Sequence, residues 1–254
     1  MEKNISKLHS AQIVINATQY DVASDHRFLI PYMIYAGGRE SEIRFGFINK
    51  DGNIVIPAKY DKICEDFNNE QDLVRVGMRF SIKYGTSEKS RYNYFHYGVI
   101  DSFGKELIPC DKYTELYFTL GKERLIAYYN GGCALIDIQG REIIPYGKYR
   151  KIYDFVHGFA RVLDAKGWGI TDTEGNSIID GGEFEEIWDL KEQYSTIVVK
   201  RKSVRYVLPF EILRKLQEEL VTTGCISTPV EEYLNFKAYL QHDFTNGIPE
   251  VLQF

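Results

Sequence analysis

The sequence has little of what disulfide frameworks, metal centres and membrane spans are made from. Its four cysteines, Cys64, Cys110, Cys133 and Cys225, lie far apart with no C-x-x-C pair. That excludes a dense disulfide scaffold and zinc-finger spacing. The five histidines, His9, His26, His96, His157 and His242, are scattered, and none stands at a ligand spacing from Cys or Asp. There is no G-x-S-x-G elbow, no P-loop and no H-E-x-x-H. Gly167-Trp168-Gly169 lies at a strand entry, outside the strand-to-helix setting of a phosphate site. These residues point away from an enzyme, and no cofactor is expected. A net charge of −5 argues against nucleic acid, whose binders need an excess of Lys and Arg. No run approaches the ~18 apolar residues of a membrane span, and the start has no apolar h-region. No membrane contact is therefore expected, and the expected location is the cytoplasm, with a removed signal peptide as the alternative.

What the sequence does have is a repeat. The stretch RFGFINKDGNIVIPAKYDKI (Arg44–Ile63) recurs at His96–Leu116, Cys133–Ile152 and Gly167–Ile187. A small residue opens each copy (Gly46, Gly98, Ala134, Gly169), and a turn glycine follows six residues later (Gly52, Gly104, Gly140, Gly175). Successive turn glycines lie 52, 36 and 35 residues apart, a period near 35 with one insertion. A fixed period of this size signals stacked supersecondary units, none of which buries its apolar face alone.

Each copy predicts a β-hairpin. Apolar pairs such as Phe47-Ile48 and Ile54-Val55 flank a turn opened by Asn49, Asp101, Asp137 or Asp172 and closed by the glycine. Asn or Asp caps a type I turn with its side chain, and glycine accepts the positive φ that follows. Because that role accounts for the four Asx oxygens, the column is expected to bind no calcium, which needs six or more oxygens in one loop. Pro57, Pro109 and Pro145 should end the second strand or lie on an edge. An aromatic follows (Tyr60, Tyr113, Tyr149, Phe184), and a later strand (Leu73–Val76, Leu125–Tyr128, Ala160–Leu163, Ile197–Val199) closes the unit.

These residues resemble the WG-repeat family of bacteria, whose unit runs Trp-Gly, Ile-Asp-x-x-Gly, two hydrophobics and Pro, then Tyr-Asp. Trp168-Gly169 carries the dipeptide; Phe45-Gly46 and Tyr97-Gly98 keep an aromatic, and Cys133-Ala134 keeps neither. The later pair survives only as Tyr60-Asp61. The resemblance implies a β-repeat fold with a binding or scaffolding role, and supplies no catalytic residue.

Around the repeats, Ile13–Ile15 and Phe28–Tyr35, with Tyr20-Asp21 between, read as a degenerate half copy whose Pro31 would blunt an edge. Met78–Phe95 reads as an inserted hairpin. Phe80, Ile82 and Tyr84 alternate with polar residues, as do Tyr92, Tyr94 and His96, and Arg79, Lys83, Lys89 and Arg91 oppose Glu88 alone. It either pads a neighbouring unit or reaches a partner. Val204–Leu208 predicts a last strand, the opening of a fifth copy. Pro209 then starts a helix with Ile212, Leu213, Leu216 and Leu220 on one face and Gly224 at its end. A capping box, Thr228 to Glu231, predicts a second helix through Leu240.

The expected architecture is all-β. It is an array of antiparallel hairpin repeats, about four full copies plus the N-terminal half copy, over residues 6–208 with the insertion at 78–95. Residues 209–254 form a helical C-terminal cap, with an oligomer contact through these helices as the alternative. A closed, five-bladed propeller-like arrangement is the alternative. The expected function is a non-enzymatic protein-interaction or scaffolding module. A carbohydrate or small-ligand binder, with Trp168, Trp188 and Tyr153 as platforms beside Asp154 and Asp189, is the alternative. Candidate binding residues are Arg79, Tyr84, Arg91, Tyr92, Tyr94, Trp168 and Trp188, since Tyr, Trp and Arg suit interface cores.

Overall fold

Each copy turns as its Asx residue dictates. The computed structural model describes residues 13–15, 29–35, 43–49, 51–64, 73–83, 91–120, 123–190, 193, 195–230 and 234. Within it, Asn49 Oδ1 accepts from the N–H groups of Asp51 and Asn53 at 3.1 and 2.9 Å. Asp101, Asp137 and Asp172 do the same for the residues two and four further on. The four turn glycines have φ of +78, +83, +80 and +84°. One oxygen of each Asx residue is therefore spent on backbone donors, and the second oxygens of Asp137 and Asp172 accept from the Arg141, Asn176 and Gln217 side chains.

Five antiparallel sheets result, each a meander. The first joins β1 (Ile13–Ile15), β2 (Ile30–Tyr35), β3 (Ile43–Ile48) and β4 (Ile54–Tyr60). The second joins β5 (Lys62–Ile63), β6 (Val74–Lys83), β7 (Arg91–Ile100) and β8 (Glu106–Tyr113). The third holds β9 (Glu115–Thr119), β10 (Arg124–Tyr129), β11 (Gly132–Asp137) and β12 (Glu142–Ile144). The fourth holds β13 (Lys151–Val156), β14 (Phe159–Leu163), β15 (Trp168–Asp172) and β16 (Ser177–Phe184). The fifth has three strands, β17 (Glu186–Ile187), β18 (Thr196–Arg201) and β19 (Val204–Pro209), before helix α1 (Phe210–Thr223).

The sequence repeat and the sheet are out of phase. The strand expected to close a copy instead pairs with the first strand of the next, as Val76 does with Gly98 and Val162 with Gly169. The crossing point follows the buried aromatic. The N–H of Asp61 donates to Gly77 O at 2.9 Å, and those of Thr114, Arg150 and Glu185 bond the closing strands at 2.8, 2.7 and 2.8 Å. A copy thus ends one sheet with its hairpin and opens the next with its tail.

Pro57 and Pro109 lie on an edge, as expected: they are inside β4 and β8, the outer strands of their sheets, so no ladder bond is lost. Pro145 does follow the end of β12. Pro31 is in β2, which lies between β1 and β3, so it blunts no outer strand. The pairing of β1 reaches only Tyr32, so Pro31 sits just beyond it.

The opening glycines answer to a close approach. A Cβ on Gly98 would lie 2.3 Å from Ile108 O, and one on Gly169 would lie 2.7 Å from Ile179 O. Both sit where the pairing register shifts across a bulge. The third copy escapes this constraint, because β12 stops at Ile144 and the chain turns away, and there Ala134 replaces glycine.

The chain divides into two compact units: Met1–Gly131 with Ile136–Arg141, and Gly132–Leu135 with Glu142–Phe254. In the first unit Phe47, Ile56, Tyr60, Val76 and Ile100 form a core. In the second, Ile170, Ile197 and Leu208 pack with Phe210, Leu213 and Leu216 of α1, each such side chain contributing roughly 1.5–3 kcal/mol. Helix α1 begins as expected, with Pro209 as its N-cap, and ends at Gly224, whose φ is +80° and whose N–H donates to Leu220 O. It follows β19 directly, so the fifth copy opens but never forms its hairpin. Tyr20-Asp21 and most of the expected second helix lie outside the described residues.

Candidate interaction site

The inserted segment lengthens one hairpin. β6 and β7 have ten residues each and pair without a break from Val74↔Ile100 to Lys83↔Arg91. Their neighbours stop early: β5 reaches Lys62↔Gly77, and β8 reaches Tyr97↔Tyr113. Beyond those rows the pair runs on as a two-stranded arm, with no strand on either edge among the described residues. The N–H of Arg79, just past β5, donates to Asp61 Oδ2 at 2.8 Å.

A bare two-stranded ribbon is marginal in water, and aromatics brace this one. On one face Phe80 stacks on Tyr94 at 5.8 Å and meets His96 at 4.7 Å, while Tyr92 stacks on Tyr94 at 6.4 Å. Such pairs add roughly 0.5–1.5 kcal/mol each beyond burial. On the other face Phe95 and Tyr97, 6.3 Å apart, carry cations. Lys62 Nζ lies 5.8 and 5.4 Å from the two ring centres, Arg79 5.8 Å from Phe95, and Arg75 5.7 Å from Tyr97 and 5.2 Å from Tyr117. Gly77 permits this, because its absent side chain lets Lys62 and Tyr97 close over it.

Beside the arm is a cleft of about 610 Å³, lined by Tyr92 to Phe95 and Tyr97, by Lys62, Cys64 and Arg75, and by Thr114, Glu115 and Tyr117. That size lies within the ~300–1,000 Å³ typical of ligand sites. Lys62 donates to Tyr97 Oη at 3.1 Å, and that bond holds its pKa above the ordinary lysine value although burial opposes it. Burial raises the pKa of Tyr117, and the bond from its hydroxyl to Glu115 adds to the rise. At neutral pH the cleft therefore holds a charged Lys62 and a protonated Tyr117.

The expected binding residues fall into two groups. Arg79, Tyr92 and Tyr94 lie on the arm; Tyr92 is 61% exposed, and Ile82 opposite is 44% exposed. Arg91 is in β7, but its side chain lies outside the description, as does Tyr84 entirely. Trp168 and Trp188 belong to the other unit. There the Arg161 guanidinium lies 4.1 Å from the Tyr153 ring and 4.4 Å from Trp168, donates to Ile187 O at 2.7 Å and pairs with Asp189. Arg205 covers Trp188 at 5.3 Å. These rings, expected as open platforms, already carry a cation each.

Lys62, Arg75, Phe95, Tyr97 and Tyr117 were not foreseen. A signal existed in the alignment of copies: Arg75 and Arg161 occupy the same place in the closing strand. Each lies on the aromatic that precedes the opening glycine, and each bonds a backbone carbonyl of the following sheet, Leu116 O or Ile187 O.

Three stretches, residues 45–78, 97–121 and 135–164, match the family described as WG containing repeat. In these three stretches the chain is similar to WG repeats. The fourth copy, which holds Trp168-Gly169 itself, lies outside the matched stretches. No curated protein matches this chain. A solved structure described as "Crystal structure of the eukaryotic initiation factor" is similar at 10% identity and a TM-score of 0.40, over 73% of this chain and 52% of that one. The chain thus spans about half the length of that structure, and a likeness so slight carries no argument.

Proposed function

We propose that this chain is a non-enzymatic protein-interaction module that engages its partner through the arm of the second sheet. One observation carries the reading: β6 and β7 run past their neighbours and hold Tyr92 and Ile82 in solvent on a cation-flanked ribbon. Exposed apolar side chains on a projecting element mark interaction sites, and Tyr with Arg is the pairing that interfaces favour. The buried thiols fit a structural role. Burial pushes Cys110 up to about 12 and Cys133 up to about 11, and their Sγ atoms bond Val76 O and Tyr149 O. Thiols so protonated are poor nucleophiles.

The test is site-specific photo-crosslinking in the native cell. A photoreactive residue at position 92 should yield discrete covalent adducts, and the same residue at exposed position 174 on the fourth turn should not. Equal labelling at both positions would contradict the assignment.

A further inference from the structure

The geometry points to an acidic, extended segment of a partner protein that fills the cleft and adds as a strand along the outer edge of β7. This rests on the interaction reading above and gives the partner's chemistry. From Arg91 to His96 no described strand pairs with that edge, and the run Arg91–Tyr97 contains neither Pro nor Gly to break its ladder. An unpaired strand edge presents alternating N–H and C=O groups, which another peptide matches and a nucleic-acid strand does not.

Charge selects the segment. Lys62 uses one of its three N–H donors on Tyr97 Oη, and it stands with Arg75 and Arg79 over Phe95 and Tyr97. The acids facing them are Asp61, paired with Arg44 and Arg79, and Glu115, which takes the Tyr117 hydroxyl. Cations outnumber acids, so carboxylates are the fitting guests. Alternation sets their spacing: a strand laid against β7 turns every second side chain toward the Lys62, Phe95 and Tyr97 face, and the others toward Tyr92 and Tyr94. A second copy of the chain fits poorly, since its arm carries Arg79, Lys83, Lys89 and Arg91 against Glu88 alone. A long polyanion such as nucleic acid also meets the repulsion of a chain at −5 overall.

The experiment selects random dodecapeptides displayed on phage against the full chain, then measures the strongest as a labelled synthetic peptide by anisotropy. Variants are Lys62→Met, Lys62→Arg and a chain whose residues 81–93 are replaced by a short Gly-Ser link, each checked for folding by thermal melting. The expected consensus has Asp or Glu at alternate positions. Its affinity should fall at least about tenfold in Lys62→Met, stay within about threefold in Lys62→Arg, and vanish without the arm. Peptides insensitive to both changes would overturn this site while leaving an interaction elsewhere intact. Failure to enrich, with crosslinks still formed at position 92, would overturn the strand chemistry; failure of both would remove the interaction reading too. A twelve-residue oligothymidine binding more tightly than any peptide would replace the peptide with nucleic acid.

Discussion

Gly104, the turn glycine of the second copy, lies against Ile56, in the second strand of the first: a Cβ there would stand 2.7 Å from Ile56 Cγ1. The relation recurs. A Cβ on Gly175 would stand 2.9 Å from Ile144 Cγ1, and one on Gly140 would stand 3.7 Å from Ile108 Cγ1. Each turn thus rests on the equivalent isoleucine of the preceding copy. Gly52, in the first full copy, has nothing within 4 Å. The turn glycine serves two ends, positive φ within its own hairpin and clearance for its neighbour.

These two roles separate by mutation. Gly52→Ala should cost only the left-handed penalty, about 1–2 kcal/mol. Gly104→Ala should cost about 1–3 kcal/mol more, because the added methyl must displace Ile56. At roughly 2–4 °C per kcal/mol for a chain of this size, thermal melts resolve the difference. Adding Ile56→Val should recover part of the Gly104→Ala loss, and strict additivity would argue against the contact.

The opening glycine offers a sharper contrast. Gly98→Ala places a methyl within 2.3 Å of Ile108 O, a backbone atom that cannot rotate aside. It should cost about 3 kcal/mol or more. The reverse change, Ala134→Gly, meets no clash and should cost about 1–2 kcal/mol, the backbone entropy plus one buried methyl. Urea unfolding of both variants checks the pair.

Thiol chemistry reports the packing independently. Cys225 is exposed, while Cys64, Cys110 and Cys133 are buried. Iodoacetamide at pH 8 should label Cys225 within minutes and the others only after denaturation, as read by intact-mass spectrometry. Rapid native labelling of Cys110 would contradict its bond to Val76 O.

Glu106 on β8 ties to the first sheet, accepting from Lys59 Nζ at 2.6 Å and Tyr60 Oη at 3.0 Å. The Lys59 bond chiefly holds its carboxyl below the ordinary 4.5, with Tyr60 adding and burial opposing. A carboxyl depressed in the folded state stabilises above the unfolded pKa, and that contribution is lost as pH falls through the folded value. Glu106→Gln should therefore lower stability at pH 7, by at most ~1 kcal/mol for so solvated a pair. The deficit should shrink as pH falls below 4.5. A deficit that grows in acid would contradict the tie.

Much of this fold was legible because it is local. Asn49 to Gly52 and its three counterparts carry turn chemistry within four residues, and Pro209 to Gly224 carries helix signals at both ends. The phase of the sheets was not legible, because whether Val74 pairs back to its own copy or forward to Ile100 is a tertiary choice that no local pattern encodes. The cleft was hidden for the same reason. Lys62 and Arg75 meet Tyr97 only once β5, β6 and β7 lie side by side over Gly77. Trp168 misled in the opposite direction: a rare aromatic reads as a platform until Arg161, seven positions earlier, covers it.

The central claim is that the arm serves interaction rather than the core, and a thermal melt of the chain with residues 81–93 replaced by a Gly-Ser link tests it most directly. Ser81, Ile82, Tyr92 and Asn93 are exposed, so their removal should leave the melting temperature within about 2 °C, less than 1 kcal/mol. If the arm were padding, losing even two buried side chains would remove roughly 3–6 kcal/mol and lower the transition by about 6–24 °C. A drop of that size would contradict the account.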